Sequence, residues 1–292
     1  MQMAVMRSKL FVPGSRPELF GKALASAADA LSLDLEDAVA RDRKAEARAA
    51  VAECLRGLGE QQAKIMIVRV NALGTPLFEP DLAAIVGPGL DVVNLPMVES
   101  AGHVLAAVAA IEKAEVAAGL TRQIAVLANI ETPLALRRAA EIATAHPRVQ
   151  GLQIGYGDLL EPFGIDRADE SALAHIRLAV RFAAAEAGIP AFDGSLAAVA
   201  SPERCKAEAE AARRLGYAGK SCIHPSQVAI VNAAFMPNPE AVARARRVLA
   251  SAAEAESRGV GAYLLDGQML DAPFIASARA LVELADRLGS AE

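Results

Sequence analysis

Tryptophan is absent from this sequence, and aromatic residues make up only 4% of its 292 residues. A core without large rings must fill its volume with Ala, Leu, Val and Ile, and hydrophobic residues reach 53%, the composition of a well-packed, enzyme-like protein. Cysteine is almost as scarce. Cys54, Cys205 and Cys222 are odd in number and lack metal-finger spacing, which excludes a disulfide framework and fits a reducing cytoplasm. No run of 18 uncharged apolar residues occurs, and the residues ahead of Arg7 hold no signal-peptide core. The sequence therefore predicts neither membrane spanning nor secretion. Excess positive charge is missing as well. A net charge of −5 and a pI near 5.6 argue against nucleic-acid binding, while leaving room for a local basic patch that meets one phosphorylated ligand. Nor does a GxGxxG follow the first strand, which removes the mark of a dinucleotide-binding open sheet.

What the sequence does hold is a repeated alternation of strand and helix. Apolar strands are expected over residues 9–12, 30–35, 64–70, 91–95, 124–132, 149–154, 189–192 and 216–223, and helices over 17–28, 41–58 and 101–118. Polar markers at the strand ends, Asn71, Pro96, Glu131, Asp158, Asp193 and His224, recur about every 25 to 35 residues, which implies parallel strands with right-handed crossovers. Eight such units favour closure into a (β/α)8 TIM barrel, an α/β fold, over residues 1–231. Beyond it, residues 232–292 read as a C-terminal helical extension, with helices over 239–257 and 273–288. The intervening GVGAYLLDGQMLDAP reads as a Gly-rich loop carrying Asp266 and Asp271.

The stretch IAVLANIET, residues 124–132, organises the rest. Its apolar body stops at Glu131, with Thr132 placed to cap the next helix and Pro133 in that helix's first turn. One unit later, GYGDL presents Asp158. Two carboxylates at the ends of neighbouring parallel strands face one mouth, an arrangement that holds a hard divalent cation and leaves positions open for substrate and water. Glu36, Asp37, Arg69, Glu99, Asp193 and His224 are expected on the same rim. Arg69 either bridges Glu36 or Asp37 or forks a substrate carboxylate. Arg7, Lys9 and Arg16 are either a solvated face or a contact for the phosphates of a nucleotide-bearing carrier. His224 stays unassigned, and Tyr156 and Cys222 read as packing. Asp271 either caps the helix near Pro273 or belongs to a lid over the mouth.

Segments spread over nearly the whole chain, RSKLFVPG from Arg7, LDLEDAV from Leu33, RVN from Arg69, IET from Ile130, GYGDL from Gly155, GYAGKSCIHPSQ from Gly216 and DGQMLDAP from Asp266, resemble one family in its own order. It is the citrate lyase β-subunit-like group of the HpcH/HpaI aldolase superfamily, which includes malyl-CoA and citramalyl-CoA lyases. The resemblance implies a Mg²⁺-dependent barrel that assembles as a homotrimer or hexamer. It places the metal carboxylates on Glu131 and Asp158 and the substrate arginine on Arg69. It puts the acid-base aspartate, lent by a neighbouring subunit, on Asp271. Glu36 and Asp37 match positions that orient Arg69 and a metal-bound water, and with Arg7 and Arg16 they complete the expected substrate-binding set. Met97 departs from the family's usual Lys. The implied reaction is reversible cleavage of a 3-hydroxy-3-carboxyacyl-CoA to acetyl-CoA, or a homologue, and a 2-oxo acid. A citryl-acyl-carrier-protein lyase, a thioesterase on the same site and a non-catalytic metabolite binder are the alternatives.

Overall fold

Side chains alternate between two environments along a strand, and here the alternation sorts polar from apolar. The computed structural model describes residues 5–58, 63–257 and 261–289. Eight parallel strands, β1 (Ser8–Pro13), β2 (Ala30–Asp34), β3 (Ile65–Arg69), β4 (Val92–Leu95), β5 (Ala125–Ile130), β6 (Val149–Ile154), β7 (Ala191–Asp193) and β8 (Gly219–Cys222), pair in sequence order. They close with β8 beside β1, which makes the barrel expected from the sequence. The returning helices are α1 (Phe20–Leu24), α2 (Lys44–Leu58), α3 (Phe78–Ile85), α4 (Ala101–Ala117), α5 (Pro133–Arg137) with α6 (Ala139–Thr144), α7 (Tyr156–Leu160) with α8 (Glu170–Glu186), α9 (Pro202–Arg214) and α10 (Pro225–Phe235). At the start of α5, Thr132 Oγ1 accepts from the Ala135 N–H at 3.1 Å and Pro133 opens the helix, as the sequence predicts. α1 falls short of the 17–28 helix expected. A 3-10 turn over Pro17–Leu19 replaces its first turn, and past its end the Ser26 hydroxyl donates to the Ala23 carbonyl.

Leu10, Val12, Leu31, Leu33, Val126, Ala128 and Ile130 join the main core between strands and helices. Met6, Ala30, Ile67, Val92, Ala125, Leu127 and Phe192 form a separate apolar plug. Stepping two residues at a time from that plug reaches Asn94 from Val92, Asn129 and then Glu131 from Leu127, Asp34 by way of Ser32 from Ala30, and Arg69 from Ile67, and Lys9, Gln153 and Ser221 are buried polar residues on the neighbouring strands. The barrel interior thus runs from apolar to polar to charged toward the C-terminal ends of the strands. Lys9, expected on a solvated face or at a phosphate, points inward because its neighbours Leu10 and Val12 face outward, and it is 2% exposed. Arg7 also differs from expectation. It precedes β1, at the end of the barrel opposite the mouth, and grips Asp29 through Nε at 2.9 Å, Nη2 at 2.9 Å and its backbone N–H at 2.8 Å. It does not join the mouth.

The chain divides into two compact units, Met1–Phe235 and Met236–Glu292. The first ends past the boundary placed at residue 231 because α10 continues to Phe235. In the second unit α11 (Pro239–Ser257) and α12 (Ala272–Gly289) lie together, and Ala245, Val248, Leu270, Ala278 and Val282 form their core. The expected Gly-rich loop is instead largely an antiparallel hairpin, β9 (Tyr263–Leu265) and β10 (Gln268–Leu270). Its two-residue turn, Asp266-Gly267, has φ of 50° and 77°, the left-handed pair that such a turn needs and that Gly adopts without a Cβ penalty. Residues 259–260 of that expected loop lie outside the described residues. Among the described residues no helix is long and apolar enough to cross a membrane.

The plug makes one prediction about stability. Phe192→Ala removes the plug's one aromatic ring and leaves a cavity, so the free energy of urea unfolding should fall by about 3–5 kcal/mol. A loss below 1 kcal/mol would show that the plug is not what holds the barrel's interior.

Candidate active site

The mouth begins with Asp34 and Arg69, which are direct partners in the β2–β3 register. Arg69 Nε donates to Asp34 Oδ1 at 2.7 Å and Nη2 to Oδ2 at 2.6 Å, so one edge of the guanidinium is committed. The remaining nitrogen, Nη1, lies 3.3 Å from Asp37 Oδ2 and 2.8 Å from Glu36 Oε2. The Glu36 contact is an ion pair by distance without the alignment of a hydrogen bond. Asp34 also accepts from the N–H groups of Glu36 and Ala38, at 3.0 Å each, which fixes the turn carrying Glu36 and Asp37. Asp34 is not among the rim residues expected from the sequence. Its signal was parity: in LDLED it sits between two leucines, two residues before Glu36, on the strand's inward face.

Glu131 is 2% exposed and both its oxygens are held. Oε1 accepts from the Met97 N–H at 2.5 Å, and Oε2 from Asn129 Nδ2 at 3.0 Å. Met97 has φ 54°, a left-handed conformation that costs a residue with a side chain on the order of 1 kcal/mol, and that turn is what carries its amide to the carboxylate. Gly155 is needed for closeness. A Cβ there would stand 2.3 Å from Glu131 Oε2, so only glycine lets the start of α7, with Asp158, come this near. Arg16 is exposed beyond the mouth end of β1 and pairs with Glu18.

Other expected rim residues are drawn elsewhere. Phe192 faces the barrel interior, so Asp193 faces the helices, where Arg177 binds it at 3.0 Å through both Nε and Nη2 and Lys220 at 2.8 Å. The Tyr156 hydroxyl donates to the same carboxylate at 2.7 Å. Glu99 accepts from Thr132 Oγ1 at 2.9 Å, which braces the β5–α5 junction. His224 Nδ1 lies 2.8 Å from Ser226 Oγ at the start of α10. Cys222 is buried, and burial pushes its thiol up to about 12, which leaves it inert. Asp271 is in the second unit, just ahead of α12, and its Oδ1 has no hydrogen-bond partner among the described residues.

Negative charge is concentrated at the mouth. Burial, then the nearby Asp158, raises Glu131 to about 7, against the pull of the Met97 N–H. Burial raises Glu36 to about 8, opposed by Arg69 and reinforced by Asp37 and Glu131. Asp158 is raised by burial and by Asp37. Among the described residues no three His, Cys, Asp or Glu side chains converge as a closed metal cage. Two carboxylates short of a cation suit a small divalent ion that keeps its remaining positions for water and substrate, which is the habit of magnesium. Both raised groups bind protons more tightly folded than unfolded. The stability they lend is present in full below the unfolded value near 4.3 and is lost as pH rises through about 7 and about 8. In EDTA the melting temperature should therefore fall across that window, whereas the upward shift produced by added Mg²⁺ should be larger at pH 8.5 than at pH 5.5. An equal shift at both pH values would disconnect these carboxylates from the cation.

Comparison with known proteins finds relatives along nearly the whole chain. Residues 7–225 match the family of HpcH/HpaI aldolase/citrate lyase. The L-malyl-CoA/β-methylmalyl-CoA lyase of Cereibacter sphaeroides is 35% identical over 97% of this chain and 96% of its own. Citrate lyase subunit β of Haemophilus influenzae is 37% identical over 97% and 98%. Among solved structures, protein CitE of Mycobacterium tuberculosis in complex with magnesium, acetoacetate and coenzyme A aligns with a TM-score of 0.77 at 35% identity, covering 97% of this chain and 99% of that one. On the family match and on relatives that span nearly its whole length, the chain belongs to the HpcH/HpaI aldolase/citrate lyase family.

Proposed function

We propose that this protein is a magnesium-dependent carbon–carbon lyase. It cleaves a 3-hydroxy-3-carboxyacyl-CoA of the malyl-CoA or citramalyl-CoA kind to acetyl-CoA, or a homologue, and a 2-oxo acid, and it runs the condensation in reverse. The observation that carries this reading is the carboxylate of Glu131, held by the Met97 N–H and Asn129, with Asp158 close enough to raise its proton affinity, at one mouth beside Arg69. The lyases and the coenzyme A-bound protein among its relatives support it. Glu131 and Asp158 would hold Mg²⁺, which polarises the hydroxyl and carboxylate oxygens of the substrate. Arg69, with one edge fixed on Asp34, offers Nη1 to the substrate carboxylate, and Glu36 and Asp37 keep that nitrogen in place. Arg16, at the mouth end of β1, supplies a cation for the phosphates of CoA.

In cleavage the carbinol releases its O–H proton to solvent, from which Asp271 is reprotonated after each turnover, and becomes the carbonyl of the 2-oxo acid. The bond to the thioester's α-carbon breaks, its electron pair passes into an enolate, and that carbon takes a proton from Asp271. Run backwards, Asp271 removes the α-proton of acetyl-CoA. We assign Asp271 to the mouth of a neighbouring subunit in a homotrimer or hexamer. Leu264 and Met269, cross-strand partners on the exposed side of its hairpin, support that assignment, being apolar and 73% and 64% exposed.

The test is a panel of malyl-CoA, β-methylmalyl-CoA, citramalyl-CoA and citryl-CoA, assayed with Mg²⁺ and with EDTA for the 2-oxo acid and the acyl-CoA product. Metal-dependent cleavage of one member is expected. Release of free CoA instead would make the protein a thioesterase. Activity only on an acyl-carrier-protein thioester would align it with the citrate lyase β subunit. Asp271→Asn should keep Mg²⁺ and 2-oxo acid binding and lose about 10²–10⁴ in turnover; near-normal turnover in that variant would remove Asp271 from the mechanism.

A further inference from the structure

The barrel interior holds a line of buried polar side chains that the proposed reaction does not use. Lys9 Nζ donates to Asn94 Oδ1 at 3.3 Å. Asn94 Nδ2 donates to Asn129 Oδ1 at 2.7 Å and to the Leu127 carbonyl at 3.0 Å. Asn129 Nδ2 donates to Glu131 Oε2 at 3.0 Å. A side branch runs from Ser221 Oγ to Gln153 Oε1 at 3.2 Å, and from Gln153 Nε2 to Asn129 Oδ1 at 3.2 Å. Lys9, Asn94, Asn129 and Gln153 are each 3% exposed or less. Barrel interiors are ordinarily filled with branched apolar side chains, and a buried polar group is costly unless paired. Among the described residues Lys9 Nζ hydrogen-bonds to Asn94 and lies 4.2 Å from the centre of the Phe11 ring, with no carboxylate paired to it.

Every donor in the line points the same way, and the ends enforce it. The Leu127 carbonyl can only accept, so Asn94 must turn its amino group toward Leu127 and Asn129 and its oxygen toward Lys9. Two N–H donors, from Asn94 and Gln153, then occupy the Asn129 oxygen. A rotated Asn129 would set its amino group against both of them and its oxygen against the Glu131 carboxylate. The amide is thereby locked with its N–H toward Glu131, in line with the other donor, the Met97 N–H, on the opposite oxygen.

We propose that Lys9, Asn94 and Asn129 are positioning residues: an internal brace that fixes the turn of the Glu131 carboxylate and so sets the mouth's affinity for a divalent cation. The proposal rests on Glu131 being a cation ligand. Groups that hold a ligand's second oxygen in this way are commonly worth 10- to 100-fold in metal affinity. The brace also differs from a simple effect of charge, because a cation at Lys9 acting through space repels a bound cation. Removing it would then tighten binding.

Mn²⁺ binding to the metal-free full-length protein, followed by calorimetry at pH 8.5, tests this with Lys9→Met, Asn129→Ala, the double variant and Glu131→Gln. Wild type should bind Mn²⁺ and Glu131→Gln should not. Asn129→Ala should weaken binding about tenfold and Lys9→Met by about threefold or more, each with a thermal melt showing a folded protein. In the double variant Lys9→Met should add nothing to Asn129→Ala, because its effect passes through that amide. Undiminished affinity in Asn129→Ala, tighter binding in Lys9→Met, or a Lys9→Met effect that persists in full without Asn129 would overturn the brace and leave the lyase reading standing. Full Mn²⁺ affinity in Glu131→Gln, or no binding by wild type, would overturn both. Lys9→Met retains the length of the side chain while removing a buried amine, so it keeps the test decisive if Asn129→Ala fails to fold.

Discussion

Asp34, Glu36, Asp37, Glu131 and Asp158 crowd around the guanidinium of Arg69, and the properties of the mouth follow from that imbalance. Asp34 takes the forked edge and is fully neutralised in geometry. Glu36 and Asp37 divide what remains. Glu131 and Asp158 pair with no cation among the described residues, and burial, reinforced by neighbouring carboxylates, raises their proton affinity. A protein does not keep such a charge deficit for stability, since mutual repulsion and desolvation both oppose it. On the proposed reading, a divalent ion at Glu131 and Asp158 would neutralise both and remove part of the repulsion that raises Glu36.

The period-two alternation of strands is what converts a linear sequence into this arrangement. In each of β2, β3 and β5 an inward apolar residue of the plug is followed, at steps of two, by the residues of the polar layer or the mouth: Ala30 by Ser32 and Asp34, Ile67 by Arg69, Leu127 by Asn129 and Glu131. The same rule sends Asp193 away from the mouth, because Phe192 takes the interior. Asp193 then neutralises Arg177 and Lys220 in a dry setting, and these cations hold its carboxyl well below the usual range despite burial. Through its hydrogen bond with Tyr156 that cluster also anchors the first residue of α7, two positions before Asp158.

Most of the fold was legible in the sequence because it depends on pattern. Eight apolar runs ending in polar markers are enough for a closed parallel barrel, and Thr132-Pro133 reads directly as a helix start. Glu131 and Arg69 were legible as strand-end residues, and Asp158 as a carboxylate shortly past one, although it falls in the first turn of α7. What escaped was pairing. Asp34 was hidden among the acidic residues of LDLED, and only the register of β2 on β3 shows that it, rather than Glu36 or Asp37, takes the fork of Arg69. Arg7 and Lys9 were grouped with Arg16 by nearness in sequence. Yet Arg7 lies before the strand, Lys9 inside the barrel and Arg16 beyond the strand's other end, three environments separated by a few residues of extended chain. The hairpin of the second unit carried a readable Asp-Gly turn signal that its glycine content obscured.

Met97 shows how the mouth spends stability on orientation. A left-handed backbone at a residue with a long side chain persists only where surrounding structure compels it. Pro96 fixes the approach, and the reward is a backbone N–H delivered 2.5 Å from Glu131 Oε1, a donor that no side-chain motion can withdraw. From the other side Asn129 supplies a donor held by its own buried partners. Between them the two donors hold both oxygens of the carboxylate. Held in this way, Glu131 keeps one orientation at the mouth, so the strain at Met97 and the polar interior of the barrel serve one end.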